Sequence, residues 1–178
     1  MKTIEYSQPR FYHFSRDSIE LAIVASEIFP NTKSICDFYA GSGVVGIEFS
    51  FRVDQLDEMV FIEKNRNYRE HIERNICQLK GGYRTSIYWD SSLPCDLKKD
   101  TLILANPPYF IKNDGRLPQD LDKRNCHFIE EAQWQSWLHQ IRDFPHLFLA
   151  RLDLPHIKEL KFELHKALDA NVGIISLI

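Results

Sequence analysis

Two short stretches carry residue types that can do chemistry. The first is Gly41-x-Gly43-x-x-Gly46, directly after a β-prone run, with Glu63 further on at the end of the next strand-like run. Glycines let a backbone approach a ligand closely, and an acid at that second strand tip can accept hydrogen bonds from both hydroxyls of a ribose. The pair points to an adenosine-containing cofactor; a tight turn plus an exposed glutamate is the plainer alternative. The second stretch is Asn106-Pro107-Pro108-Tyr109, which by composition would arise in a chain this long with a probability on the order of one in a thousand. The Asn106 side-chain oxygen and the Pro107 carbonyl are two acceptors that can take both hydrogens of an NH2 group, while the prolines hold that carbonyl in fixed geometry. The nitrogen lone pair is then aimed outward. Tyr109 offers a flat face, and stacking there is worth about 1–3 kcal/mol for a nucleobase. A polyproline-type ligand segment or an ordinary loop is the competing reading.

Elements alternating along the chain must position these residues. Asp17 followed by Glu20 resembles a capping box, and Ile19 to Ile28 is apolar on most faces, giving a buried helix that stops before Pro30. Ser34 to Ala40 reads as a strand that breaks into the glycines and then a helix, and Met59 to Ile62 as a second strand ending in Glu63. Tyr68, Ile72, Ile76 and Leu79 mark one helical stripe, with Arg69/Glu73 and Glu70/Arg74 spaced as i,i+4 pairs on its solvated side. Thr85 to Trp89, Thr101 to Ala105 and Leu147 to Ala150 follow as strands. An amphipathic helix carrying Ile157, Leu160, Leu164 and Leu168 comes next, and Gly173 to Leu177 is the sixth strand. Trp134, Trp137, Leu138 and Ile141 form a stripe better suited to a core than to a base-binding platform. The pattern predicts an α/β fold, Rossmann-like and doubly wound, with a mainly parallel sheet and helices on both faces. One domain spans 1–178, with 1–30 a cap segment and helix and 31–178 the core. The ends of the first, second and fourth strands then converge on one crevice.

With 44% hydrophobic and 26% charged residues among 178, the chain can bury a core without a metal or disulfide staple. A formal charge of −3 confines nucleic-acid binding to a local basic face. Cys36, Cys77, Cys95 and Cys126 form no CxxC pair, and the seven histidines show no metal-ligand spacing. Reduced thiols, no metal site, no membrane span and a cytoplasmic location are expected.

At the glycine and diproline stretches the sequence resembles the class I S-adenosylmethionine-dependent methyltransferases, specifically those that methylate an exocyclic or amide nitrogen through Asn-Pro-Pro-Tyr. Asp37-Phe-Tyr-Ala-Gly-Ser-Gly43 looks like their cofactor loop, Phe61-Ile-Glu63 like their ribose-binding acid, and Asn106 to Tyr109 like their catalytic loop. Within that group, Phe14-Ser-Arg-Asp-Ser-Ile-Glu-Leu-Ala22 together with Phe110 is similar to the bacterial tRNA adenine N6-methyltransferases. The resemblance implies S-adenosylmethionine held by Asp37, Tyr39, Ala40, Gly41, Ser42, Gly43, Glu63 and Asn106, with Asp90 by analogy on the adenine amine. It implies transfer at Asn106, Pro107 and Tyr109. Tyr39 stands where many members carry glycine, although related ribosomal RNA guanine methyltransferases also have an aromatic there. The family core closes with seven strands where this chain reads as six, so the far edge is expected to be trimmed, or completed by a protein partner or a second copy.

Pro108, Tyr109, Phe110, Lys112, Arg116 and Arg124 are the candidate acceptor contacts, the last four lying in or near a polar segment that can grip phosphates. An adenine buried in a stack cannot reach Tyr109, so an RNA acceptor must present it single-stranded, looped or flipped out, as a tRNA loop does. The leading expectation is N-methylation of an adenine amine in RNA. A guanine amine of ribosomal RNA, an adenine of DNA or a protein glutamine amide keeps the same chemistry. A nicotinamide-dinucleotide oxidoreductase also fits the glycines and Glu63 but leaves the diproline unexplained; a non-catalytic binding protein is the third class.

Overall fold

The computed structural model describes residues 4–112 and 121–178. An extended N-terminal segment leads into α1 (Arg16–Ile28), β1 (Ser34–Phe38), α2 (Val44–Ser50) and β2 (Glu58–Ile62). A 3-10 turn (Arg66–Tyr68) runs into α3 (Arg69–Ile76), then β3 (Arg84–Tyr88), β4 (Leu102–Ala105), β5 (Phe110–Ile111), α4 (Leu121–His127) and β6 (Phe128–Ile129). The chain finishes with α5 (Glu131–Ile141), β7 (His146–Arg151), α6 (Pro155–Lys158), β8 (Phe162–Ala167) and β9 (Val172–Leu177). Seven strands form one sheet in the order β3-β2-β1-β4-β7-β9-β8, while β5 and β6 pair separately. β3 through β7 run parallel, and β9 is antiparallel to both its neighbours.

The two-residue period of the strands builds two cores. On one face, Ile35, Met59, Phe61, Leu102, Leu104, Leu147, Leu149 and Ile174 pack with Leu21 and Ala25 of α1, Ile47 and Phe49 of α2 and Ile72 of α3. On the other face, Cys36, Phe38, Val60, Ile62, Ile103, Phe148 and Ile175 pack with Trp134, Trp137 and Ile141 of α5 and Ile157 of α6. Central strands buried on both sides are largely apolar, which is why β2 and β4 read as short continuous runs and not as alternations; in β1 the buried Asp37 accepts from the Gly46 N–H. The Trp134 and Trp137 stripe is core. Chain order moves outward from β1 to β3 and then returns to β4 on the other side of β1. The carboxyl ends of β1 and β4 therefore flank the reversal point, where open α/β sheets hold ligands.

Three sequence expectations are corrected. The segment read as an amphipathic helix through Leu160, Leu164 and Leu168 is one helical turn, α6, followed by strand β8. With that strand the sheet has seven members, so the edge expected to be missing is present and paired with β9. Leucines four apart suit a helix, but hydrogen bonding to β9 decides the matter, and Leu164 is 46% exposed. The capping box does not form: Ser15 is the N-cap, and Glu20 instead binds Arg16 at 3.2 Å and Lys166 of β8 at 2.9 Å. Of the two expected pairs on α3, Arg69–Glu73 forms at 2.9 Å. Among the described residues, no helix is long and apolar enough to cross a membrane.

Candidate active site

The turn after β1 is held in a shape few residues adopt. Tyr39, Gly41 and Gly43 all take positive φ, at +63°, +53° and +80°. Glycine does this freely, whereas a tyrosine in that region costs about 1–2 kcal/mol. The Tyr39 ring is braced against Phe38 at 4.9 Å and Trp137 at 5.6 Å, which offsets the strain. It lines the cavity described below without closing it. Gly46 is needed for a different reason: a Cβ there would lie 2.9 Å from the Phe61 ring and 3.2 Å from Asp37 Cβ.

Two carboxyls fasten this turn. Asp37 is 1% exposed; its Oδ2 accepts from the Gly46 N–H at 2.8 Å, and its Oδ1 is buried without a hydrogen-bond partner. Burial, aided by the nearby Glu63 charge, pushes Asp37 up to about 8 against the opposing Gly46 bond. Glu63, at the end of β2, accepts from Gly41 N–H at 2.9 Å and from Asn65 N–H at 2.7 Å, and burial holds it above the ordinary carboxylate range. Each Glu63 oxygen keeps a second lone pair, so the group can still accept from a ligand hydroxyl.

These parts open on a cavity of about 280 Å3 at the carboxyl end of β1. Tyr39, Ala40, Gly41, Ser42, Glu63, Asn106 and Pro108 all line it. Gly43 and Asp37 stand behind the wall, supporting the turn. Asp90 does not line it: the residue is exposed, its Oδ1 accepts from the Ser91 N–H at 2.6 Å, and Ser91 and Ser92 form that corner instead. Asn106 follows β4 directly, and its Nδ2 donates to Ser18 Oγ of α1 at 3.1 Å. Pro107 is buried beside it.

The expected acceptor contacts divide. Pro108 lines the cavity; Tyr109 does not, and packs into the core on the α1 side of the sheet. Phe110 stacks on Phe128 at 5.6 Å with the Arg151 guanidinium 5.5 Å from its ring, so Phe128, not Phe110, reaches the cavity. Lys112 is engaged with Glu130. Arg124 lies half-buried on α4, and Arg116 falls outside the described residues. Sequence reasoning missed several wall residues: Ser18, Lys64, Tyr68, Cys126, Phe128 and Gln133. Tyr12 and Phe14 also line it; Phe14 opens the Phe14 to Ala22 stretch quoted above for its resemblance, which assigned it no place on the wall.

Residues 22–133, from α1 through the diproline loop into α5, match the model of the family described as Conserved hypothetical protein 95. The chain belongs to this family. The Conserved hypothetical protein 95 match takes in the glycine turn, Glu63 and the diproline loop together. No curated protein matches the chain by sequence. Among solved structures, the catalytic domain of hMettl16 in complex with a MAT2A 3′UTR hairpin is similar at TM-score 0.62 and 10% identity, over 96% of this chain and 73% of that one. The ribosomal protein L11 methylase of Lactobacillus delbrueckii is similar at TM-score 0.58 and 16% identity, over 93% and 80%. The tRNA (uracil-54, C5)-methyltransferase of Pyrococcus abyssi, in complex with S-adenosyl-L-homocysteine, is similar at TM-score 0.51 and 15% identity, over 91% and 38%. This Conserved hypothetical protein 95 member thus has a Rossmann-like fold similar to that of these methyltransferase structures.

Proposed function

We propose that this chain is an S-adenosylmethionine-dependent methyltransferase that modifies the exocyclic amine of a base in RNA, an adenine before a guanine. The observation that carries the reading is that Gly41, Ser42 and Glu63 share one cavity wall with Asn106 and Pro108. β1 and β4 are adjacent and in register, Phe38 beside Ala105, which brings the ends of the two motifs side by side. The residues fit the cofactor. A left-handed glycine turn gives close backbone approach, and Glu63 has acceptor capacity left for ribose hydroxyls. When bound, S-adenosylmethionine supplies an electrophilic methyl group on sulfur.

The chain's own work is positioning. Ser18 occupies the Asn106 Nδ2–H, leaving the side-chain oxygen to accept one hydrogen of the target amine. The Pro107 carbonyl accepts the other, which leaves the amine lone pair unblocked. With S-adenosylmethionine bound, that nitrogen would take the methyl group from sulfur and would release its surplus proton to water. Alignment and preorganised acceptors supply the rate, so no strong base is invoked. Two neighbours, one named as a tRNA methyltransferase and one in complex with an RNA hairpin, favour RNA over the protein acceptor that the L11 methylase name indicates.

The test is incubation with methyl-labelled cofactor and total RNA from a strain lacking the protein, followed by mass analysis of nucleosides. N6-methyladenosine is expected. Label confined to protein, or to carbon-methylated bases, would overturn the reading.

A further inference from the structure

The N-terminal segment is a strap pinned at both ends across the cavity. At its start, Asn75 of α3, fully buried, accepts the Ser7 N–H at 2.8 Å and donates to the Ser7 carbonyl at 3.0 Å. The same Nδ2 donates to the Ser42 carbonyl of the glycine turn at 2.9 Å. Ser7 Oγ lies 2.8 Å from His71 Nδ1, Tyr6 OH donates to Glu48 of α2 at 2.8 Å, and Phe11 packs edge-on against Tyr68 at 5.3 Å. At its other end the strap enters α1, where Ser18 holds Asn106. Between these pins it delivers Tyr12 to the cavity wall.

Tyr12 sits on the acceptor side. Its ring is edge-on to His127 at 5.9 Å, at the end of α4, and it neighbours Cys126 and Tyr109 electrostatically. Cys126 and Phe128 line the cavity there too, whereas the β2 end is walled by Glu63, Gln133 and Ser136. Tyr109, the ring that the diproline motif would offer, is turned into the core. An acceptor base clasped at Asn106 needs a flat partner, and an aromatic ring is sequence-tolerant for that purpose because every base has a π-face.

We infer that Tyr12 of the N-terminal strap, and not Tyr109, is the ring on which the acceptor base stacks, with Phe128 as the second aromatic of that subsite. This rests on the RNA amine-methylating reading above. Stacking needs a ring, whereas filling space needs only volume, and that separates the idea from a packing role.

Methyl transfer to total RNA from a strain lacking the protein is measured for wild type and for Tyr12→Leu, Tyr12→Met and Tyr12→Phe, alongside calorimetric affinity for S-adenosylhomocysteine. Tyr12→Leu is expected to lower kcat/KM by about tenfold or more, chiefly through KM, and Tyr12→Phe to recover most of that loss. Tyr12→Met, ring-free and similar in length, carries the same expectation should the leucine variant not fold. Affinity for S-adenosylhomocysteine should hold within about twofold throughout. Equal activity in the leucine and phenylalanine variants overturns the inference, as does a loss of S-adenosylhomocysteine affinity in step with activity, which would put Tyr12 against the cofactor. A wild-type protein that binds S-adenosylhomocysteine yet marks no RNA overturns the RNA reading first and the stacking site with it.

Discussion

The carboxyl ends of β1, β2 and β4 and the far edge β7-β9-β8 belong to one sheet but are specified in opposite ways. At the first, single residues hold positions that few alternatives could fill: Tyr39 at a left-handed φ, Gly46 against Phe61, and two buried carboxyls each accepting backbone N–H groups. At the second, the local sequence is ambiguous, and pairing decides. β8 has the exposure of an edge strand, carries Glu163, His165 and Lys166, and is interrupted by a bulge between Leu164 and Lys166. Charge and a bulge are what keep an open edge from pairing with another chain. The candidate site is thus written locally, in residues held by strain, close packing and buried bonds, whereas a sheet edge tolerates many sequences as long as its partner strand is in place.

The contrast can be tested from its strongest expected effect downward. Asn106→Ala should lower methyl transfer by about a hundredfold or more, the scale of losing one preorganised polar contact, with affinity for S-adenosylhomocysteine within about twofold of wild type. Loss of both in parallel would break the division of the cavity into donor and acceptor halves. Gly43→Ala is next. It forces φ of +80° on a residue with a Cβ, which would lie 3.1 Å from Ile72 and 3.3 Å from Phe61. A cost of about 1–3 kcal/mol is expected in chemical unfolding, together with weaker cofactor binding.

The two regions should also respond to pH with opposite signs. Asp37 is raised from 3.8 to about 8, so the folded state binds a proton that the unfolded chain has released, and stability falls as pH rises between those values. Asp37→Asn should therefore raise the Tm more at pH 9 than at pH 5. His146, buried near the edge, has its Nδ1 2.8 Å from the Phe144 carbonyl, and its Nε2 accepts from the Leu177 N–H at 2.8 Å. Burial lowers its pKa, so the unfolded chain takes up a proton first and stability is lost as pH falls below about 6.5. His146→Gln should flatten that acid limb; an unchanged limb would remove His146 from its cause. The smallest effect belongs to Leu164→Glu. On a half-exposed edge strand it should change stability by no more than about 0.5 kcal/mol, against about 2–5 for a residue in a buried helical stripe.

Much of the frame was legible because its signals are local. Six strands fall within a residue or two of their apolar runs, and the glycine turn, Glu63 and Asn106 stand where strand-end logic puts them. β8 was not legible, since Leu160, Leu164 and Leu168 carry a helix spacing that only the long-range ladder to β9 overrides. Nor were the strap residues of the cavity wall. The strap that carries Tyr12 and Ser18 to it is held by bonds from Ser7 to Asn75 and from Asn106 to Ser18, partners distant in sequence. Asp90 and Tyr109 show the converse: being near a strand end places a residue at the mouth, but side-chain direction decides whether it faces in.

The double duty of Asn75 bears on how far this chain can be shortened. One amide serves both Ser7 and Ser42. A version beginning at α1 would leave that buried amide without two of its three bonds and loosen the glycine turn from behind. Minimal versions for structural or engineering work should therefore start no later than Glu5, and affinity tags belong ahead of that point.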